Sequence, residues 1–346
     1  MDFKTPELLD IFAATCAVAD SSYIGSDAAF ANIYLLRKKY DTLIALQDGF
    51  LFRYYNGQGS RRGYAFPLGV GDLQKALELI IQDAHASGRP LEFCLVDEPR
   101  AQILREYFEK AVSNRAEPVL HFENNRNDSD YIYSAENLAT LPGNQYKKKR
   151  NHISRFNRTY LNYELRAITA ENIAEAHEVE KKWLNFETLA RSNENDCECV
   201  CDCREAAWAE RSEDEKSRMA EYCAIKEALE NFDALQMRGA ILYVEGKPVG
   251  MTMASEIAPG VWDIHFEKVI DEYAINGGYA VINKLFAERL VTAGAKLINR
   301  EEDIGIEGLR KAKLSYYPTI ILDKSHCIVV ENSPQWRHGA ANYRIS

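Results

Sequence analysis

No stretch of this chain approaches the roughly 20 consecutive apolar residues that a membrane span needs. Leu77 to Ile81 and Gly239 to Val244 are apolar but far too short. The opening MDFKTPELLDIFAATCAVADSSYIG carries Asp2 and Glu7, with no basic n-region and no long apolar core, so it does not read as a signal peptide. The expectation is a cytoplasmic protein with no stable membrane insertion. Positive charge is also short. Lys and Arg number 42 against 52 Asp and Glu, a formal net charge of −10, which argues against a general polyanion binder. Without a secretory signal, the eight cysteines read as reduced thiols rather than disulfides. Cys16, Cys94, Cys223 and Cys327 are scattered, mostly in apolar contexts, and read as small core residues.

Two sequence devices are missing as well. The run Cys197-Glu-Cys199-Val-Cys201-Asp-Cys203 lacks the C-x₂₋₄-C slack of a usual structural zinc site. Metal binding by these four thiols is weighed against a plain surface loop, and no metal is assigned. The run Asp271 to Tyr279 holds the pair Gly277-Gly278 but not the usual R/Q-x-x-G-x-G/A spacing of a pyrophosphate loop. Asp271 and Glu272 beside it would repel a pyrophosphate.

What is present suits a soluble two-domain chain: 346 residues, 46% hydrophobic and 27% charged. Short strands are read at Asp41–Leu46, Phe50–Tyr55 and Tyr64–Leu68, the first two joined by a turn at Gln47-Asp48-Gly49. Asp72 opens a helix to about Ala86, with Leu73, Ala76, Leu77, Ile80 and Ile81 at helical spacing. A strand at Leu91–Val96, a helix at Glu98–Lys110 and a strand at Pro118–Phe122 follow. Beyond Pro142-Gly143 come a helix to about Leu161, a strand at Glu164–Ile168, a helical hairpin over about 170–232 and three strands between Met237 and Val269. A helix at Gly278–Leu290, a strand at Ala295–Arg300, a helix at Ile306–Leu314 and a strand at Thr319–Asp323 close the series. This order is that of the GNAT-type acyltransferase fold, and the first part shows a similar order. The reading is an α+β chain of two tandem GNAT-like domains, residues 1–145 and 146–346, with mixed sheets flanked by helices.

One stretch stands against the acidity. LPGNQYKKKRNHISRFNRTY, Leu141 to Tyr160, holds Lys147, Lys148, Lys149, Arg150, Arg155 and Arg158 and no carboxylate. Ile153, Phe156 and Tyr160 give it one apolar face. The plainer reading is a solvated or junction face. Against it, cations at a helix start oppose the macrodipole, and Asn144, Gln145, Tyr146, Asn151 and His152 beside them can hydrogen-bond or stack on a nucleic acid. Lys147, Lys149, Arg150 and Asn151 are therefore candidate holders of a phosphate-bearing ligand, with Gly277 and Gly278 as the alternative phosphate turn.

The stretches DYIYSAENLATLPGNQYKKKRNHISRF (Asp130–Phe156), IHFEKV (Ile264–Val269) and INREEDIGIEGLRKAKLSYYP (Ile298–Pro318) resemble the DUF2156 family. That family is related to the C-terminal catalytic domain of phosphatidylglycerol lysyltransferases. The resemblance runs over nearly the full length. It implies two GNAT-like domains packed as a pair and a place among transferases that use aminoacyl-tRNA, a group that includes the Fem-type peptidoglycan enzymes. The membrane-bound lysyltransferases carry an N-terminal multi-span domain that is not found in this sequence, which speaks against a lipid acceptor.

Amino-group acylation needs a neutral amine and a stabilised tetrahedral oxyanion. His265 or Glu267 could be the base, Glu267 being chosen from the family resemblance. The plainer reading of Glu267 is an ion pair with Arg300 that orders the sheet. Arg300, Asp303 and Lys313 complete the candidate reaction site. The plainer reading of the last two is helix capping and salt bridging. The expected activity is acyl or aminoacyl transfer to an amino or hydroxyl acceptor, with aminoacyl-tRNA as the donor. The alternatives are a silent binding protein for tRNA or a nucleotide, and a CoA-dependent N-acetyltransferase using acetyl-CoA. No cofactor is certain, and a monomer is compatible with the sequence.

Overall fold

The computed structural model of the protein describes residues 1–57, 61–110, 119–184 and 213–330. Its strands are β1 (Thr42–Gln47), β2 (Phe50–Asn56), β3 (Arg62–Ala65), β4 (Leu68–Gly69), β5 (Glu92–Val96), β6 (Val119–Asn124), β7 (Asp130–Ser134), β8 (Tyr163–Ala167), β9 (Arg238–Val244), β10 (Lys247–Ala258), β11 (Val261–Val269), β12 (Leu297–Asn299), β13 (Ile320–Leu322) and β14 (Ser325–Val330). The chain divides into two compact units. The first is Met1–Tyr131, Glu301–Ser315 and the stretch from Ile320; the second is Ile132–Arg300 and Tyr316–Thr319.

In the first unit the sheet order is β1-β2-β3-β5-β14-β6, with β4 paired to β2. The β3–β5 pair is parallel and the other pairs are antiparallel. Asp48 and Gly49 both take positive φ, 52° and 83°. Two left-handed residues make the turn whose twist suits a tight hairpin, which is why Asp-Gly stands there. The helix Leu73–Ser87 starts where the Asp72 side chain accepts from the Lys75 backbone N–H, 3.1 Å away, and stops at Gly88 in the left-handed region. Its face Leu77, Ile80 and Ala84 packs with Phe52, Tyr64 and Phe93. A second kind of burial lies beside this core. Arg53, Asp27, Asp130 and Lys324 are all buried: Arg53 Nη1 is 2.7 Å from Asp27 Oδ2, and Lys324 Nζ is 2.8 Å from Asp130 Oδ1 and 3.3 Å from Glu302 Oε1. Burial alone would raise the acid of Glu302, but Lys324 and Arg61 bring it down to about 2.

In the second unit the strands run β7-β12-β11-β10-β9-β8, with β11–β12 parallel and the rest antiparallel. The basic stretch is a helix, Lys147–Thr159, whose Phe156 is fully buried against Leu242, Val249, Val269 and Val281. The helix Gly278–Thr292 shares that core. Both sheets are mixed and flanked by helices, as the α+β reading expected. Cys94 and Cys327 are buried, Cys223 is half-buried and Cys16 is exposed. The run Cys197–Cys203 lies outside the described residues. Among the described residues, no helix is long and apolar enough to cross a membrane.

Candidate functional site

The basic helix does not present its cations alike. Lys147, Lys148 and Asn151 point to solvent. Lys149 lies on the face that leads through Ile153 to Phe156, four and seven residues on, and it is half-buried. Its ammonium sits 3.6 Å from the centroid of the Tyr316 ring. Arg300, at the end of β12, stands over the same ring, Cζ 5.0 Å from the centroid. Arg300 Nη2 reaches Glu267 Oε1 on β11 at 2.9 Å, and the other carboxylate oxygen accepts from Asn283 Nδ2 at 3.3 Å. These residues form one cluster within the second unit: two cations, one carboxylate and an aromatic floor. Burial and the nearby Arg300 pull Lys149 down to about 8, against the weaker opposing pull of Glu267.

The other candidates take different places. Arg150 is exposed and donates to the carbonyls of Leu141 and Gly143 at 2.5 and 2.7 Å, closing the end of the helix Ala135–Thr140. Asp303 and Lys313 belong to the first unit. Asp303 is fully buried and accepts from Tyr131 Oη (2.5 Å), Arg310 Nε (2.7 Å) and the Gly305 N–H (2.9 Å). Burial would raise its acid, but Arg310 and Tyr131 hold it well below the usual carboxylate range. Lys313 donates to the carbonyls of Glu301, at 3.0 Å, and Glu302. Glu267, Arg300 and Lys149 are thus brought together, while Arg150, Asp303 and Lys313 are engaged in local backbone and ion-pair contacts.

Gly277 and Gly278 open the helix Gly278–Thr292. Gly277 has φ 104°, and a Cβ there would lie 2.4 Å from the His152 carbonyl oxygen; one on Gly278 would lie 2.7 Å from Val269. The space that missing side chains would leave for a phosphate is filled by packing between the two helices and the sheet.

His265 sits where the β10–β11 register slips. Phe266 faces Met253 and Ile264 faces Ala254, which leaves His265 as the extra residue of a bulge. Its Nε2 is 2.7 Å from Ser255 Oγ and its Nδ1 3.4 Å from Asp263 Oδ2, all three residues being buried. The strict alternation that would place His265 and Glu267 on one face breaks here. Asn283 and Tyr316 are the site residues that sequence reasoning left without a role. The spacing of Asn283 within a helix gives no cue; Tyr316, beside Lys313 in one quoted cluster, offered one.

Residues 19–328 match the family described as phosphatidylglycerol lysyltransferase, C-terminal. A conserved protein of unknown function from Bacteroides thetaiotaomicron is 34% identical, with a TM-score of 0.77, over 95% of this chain and 99% of its own. The C-terminal DUF2156 domain of a putative lysylphosphatidylglycerol synthetase from Agrobacterium fabrum has a TM-score of 0.56 at 13% identity, over 95% and 94%. L-PGS from Bacillus licheniformis has a TM-score of 0.57 at 12% identity, over 89% and 88%. No curated protein matches the chain. The α+β architecture of mixed sheets flanked by helices, read from the order of elements, is shared with these folds.

Proposed function

The chain belongs to the phosphatidylglycerol lysyltransferase C-terminal family, and from this we propose that it is an acyltransferase whose donor is an aminoacyl-tRNA. The reaction site is placed at Lys149, Glu267 and Arg300. One observation carries the reading: an acidic chain turns a lysine of its basic helix Lys147–Thr159 inward, beside a second cation, over Tyr316. Two positive charges against one carboxylate make a small electropositive site, and half-burial strengthens each interaction there relative to water.

Such a site suits attack of an amine on an ester carbonyl. The carbonyl oxygen becomes an oxyanion, which Lys149 and Arg300 can stabilise as it forms. The attacking nitrogen must lose a proton, and Glu267, held by Arg300 and Asn283, would take it and return it to the ribose oxygen of the tRNA as the oxyanion collapses and the ester C–O bond breaks, so that the amide and deacylated tRNA are the products. The exposed Lys147 and Lys148 then serve as phosphate contacts for the polynucleotide part of the donor. A CoA donor is disfavoured because packing fills the space at Gly277 and Gly278.

The test compares binding of charged and deacylated bulk tRNA at two salt concentrations, with the variant Lys147→Ala/Lys149→Ala/Arg150→Ala beside the wild type. Preference for charged tRNA, lost in the variant and weakened by salt, supports the reading. Binding at background, or binding untouched by the variant, overturns it. Glu267→Gln then separates an enzyme from a silent binder: an enzyme loses product and keeps binding.

A further inference from the structure

The helix Glu307–Leu314 of the first unit is inside out. The residue it buries is Lys313, while Leu309 and Leu314 are exposed, as are Ile304 and Ile306 in the turn that leads into it. Their exposure runs from 36% at Leu309 to 62% at Ile304. An amphipathic surface helix ordinarily turns its apolar residues to the core and its charges to water. Here Arg310 and Lys313, one turn apart, face the protein. Gly308 and Ala312, also one turn apart, face water. Nothing lies within 4 Å of a Cβ built on Gly308.

Polar contacts hold this inversion in place. Arg310 donates to both oxygens of the buried Asp303, Nε to Oδ2 at 2.7 Å and Nη2 to Oδ1 at 2.8 Å, and to Asn127 Oδ1 at 2.8 Å. Lys313 donates to the Glu301 carbonyl at 3.0 Å, and Asp303 also accepts the Gly305 N–H at 2.9 Å. Between these anchors the β-branched Ile304 stands at φ 46°, a left-handed conformation that such a residue rarely enters. The contacts on either side over-determine the backbone and keep Ile304 and Ile306 in water. Gly308 adds to the cost, because an exposed helix glycine is less stable than alanine. Strain, an outward apolar group and an open glycine on one surface are what a docking face requires.

Charge selects the occupant. Glu307 and Lys311 pair at 2.6 Å and are 79% and 72% exposed. About residue 309 the stretch mirrors itself: Ile304 answers to Leu314, Ile306 to Ala312, and Glu307 to Lys311 with opposite sign. We propose that this face joins two copies of the chain, laid antiparallel about a two-fold axis near Leu309. Each Glu307 then meets the second copy's Lys311, and apolar residues meet apolar residues, as an isologous interface demands. Gly308 lets the two backbones approach closely. A partner of one charge sign would meet a like charge at Glu307 or at Lys311. The face is small for a specific interface, so the dimer forms reversibly. This inference does not depend on the donor proposed for Glu267 and Lys149.

The test is sedimentation equilibrium of the full chain between about 1 and 100 µM, where an interface of this size associates. A reversible monomer–dimer equilibrium is expected. Glu307→Lys alone and Lys311→Glu alone each set like charges across the axis and should weaken it at least about tenfold. The two variants mixed in equal amounts should pair with each other, because the mixture restores opposite charges at both contacts. No role within one chain predicts that rescue, and it shows that both variants are folded. Leu309→Asp should abolish the dimer in every combination. A chain that stays monomeric throughout overturns the proposal, as does a dimer that neither single variant weakens. Monomers that instead bind anionic phospholipid vesicles, with binding lost in Leu309→Asp, would overturn it too and give the face to a membrane.

Discussion

Lys149 and Tyr316 meet face-on, the ammonium 3.6 Å from the ring centroid, and this contact separates Lys149 from its neighbours in the basic run. A cation over an aromatic face gains about 0.5–2 kcal/mol, more as water is excluded. Lys149→Ala should therefore lower product formation about tenfold or more. Lys147→Ala should chiefly reduce the salt dependence of tRNA binding. Steady-state rates and binding at 50 and 200 mM salt check both. Equal effects of the two substitutions would remove the distinction.

The charge on Lys149 also sets a pH limit. With its acid pulled down to about 8, the cation is present below that pH and is lost above it. Donor affinity should fall as pH rises from about 7 to 9 and be restored across that range in Lys149→Arg. A flat wild-type profile would disconnect this residue from binding.

Glu180 gives an opposite and independent signature in stability. Its acid is raised from 4.5 to about 7, so the folded state binds the proton more tightly than the unfolded state. Below about 4.5 both states are protonated and nothing is lost. As pH rises through 7 the folded state must ionise a buried group, at a cost of about 3 kcal/mol. Glu180→Gln should be nearly neutral at pH 4.5 and stabilising by a few kcal/mol at pH 8. Urea denaturation at the two pH values measures the difference.

Gly277→Ala should be among the more damaging single changes. The φ of 104° is strained for alanine, and the new Cβ would lie 2.4 Å from the His152 carbonyl oxygen, a backbone atom that cannot swing away. A loss of about 2 kcal/mol or more is expected, read as a fall in Tm. Gly88→Ala, with positive φ of 68° and nothing within 4 Å, should cost less.

Lys324→Met should destabilise the first unit by about 3–5 kcal/mol, because Asp27 and Asp130 would stay buried with less compensation. Glu302, whose acid is lowered from 4.5 to about 2, contributes stability that is present above 4.5 and lost as pH falls toward 2. Acid unfolding of the wild type should steepen over that window and flatten in Glu302→Gln.

Local chemistry was the legible part of the sequence. Asp48-Gly49 announced a left-handed turn, Asp72 announced a helix start, and Ile153 with Phe156 marked the buried face of the basic helix. The Glu267–Arg300 pair was also foreseen, as the plainer reading of those residues. Features without a period were not legible. Phe30–Leu35 is buried on every side, so no apolar stripe distinguishes it. The inward turn of Lys149 depends on a tyrosine 167 positions away, which no spacing rule reaches. Glu180 interrupts an otherwise apolar stripe, and in sequence it looks like one more helical glutamate. The bulge at His265 defeats alternation because alternation assumes an unbroken ladder.

Strand β14 has a consequence for synthesis. It lies between β5 and β6, pairing Cys327 with both Phe93 and Phe122, so the strand next to one edge of the first sheet is supplied by residues translated some 200 positions after its neighbours. A nascent chain that has emerged as far as β6 has an open slot where β14 belongs, with the edges of β5 and β6 unpaired. Such non-local pairing folds slowly and leaves strand edges exposed meanwhile. The first unit can close only after the whole of the second has been translated.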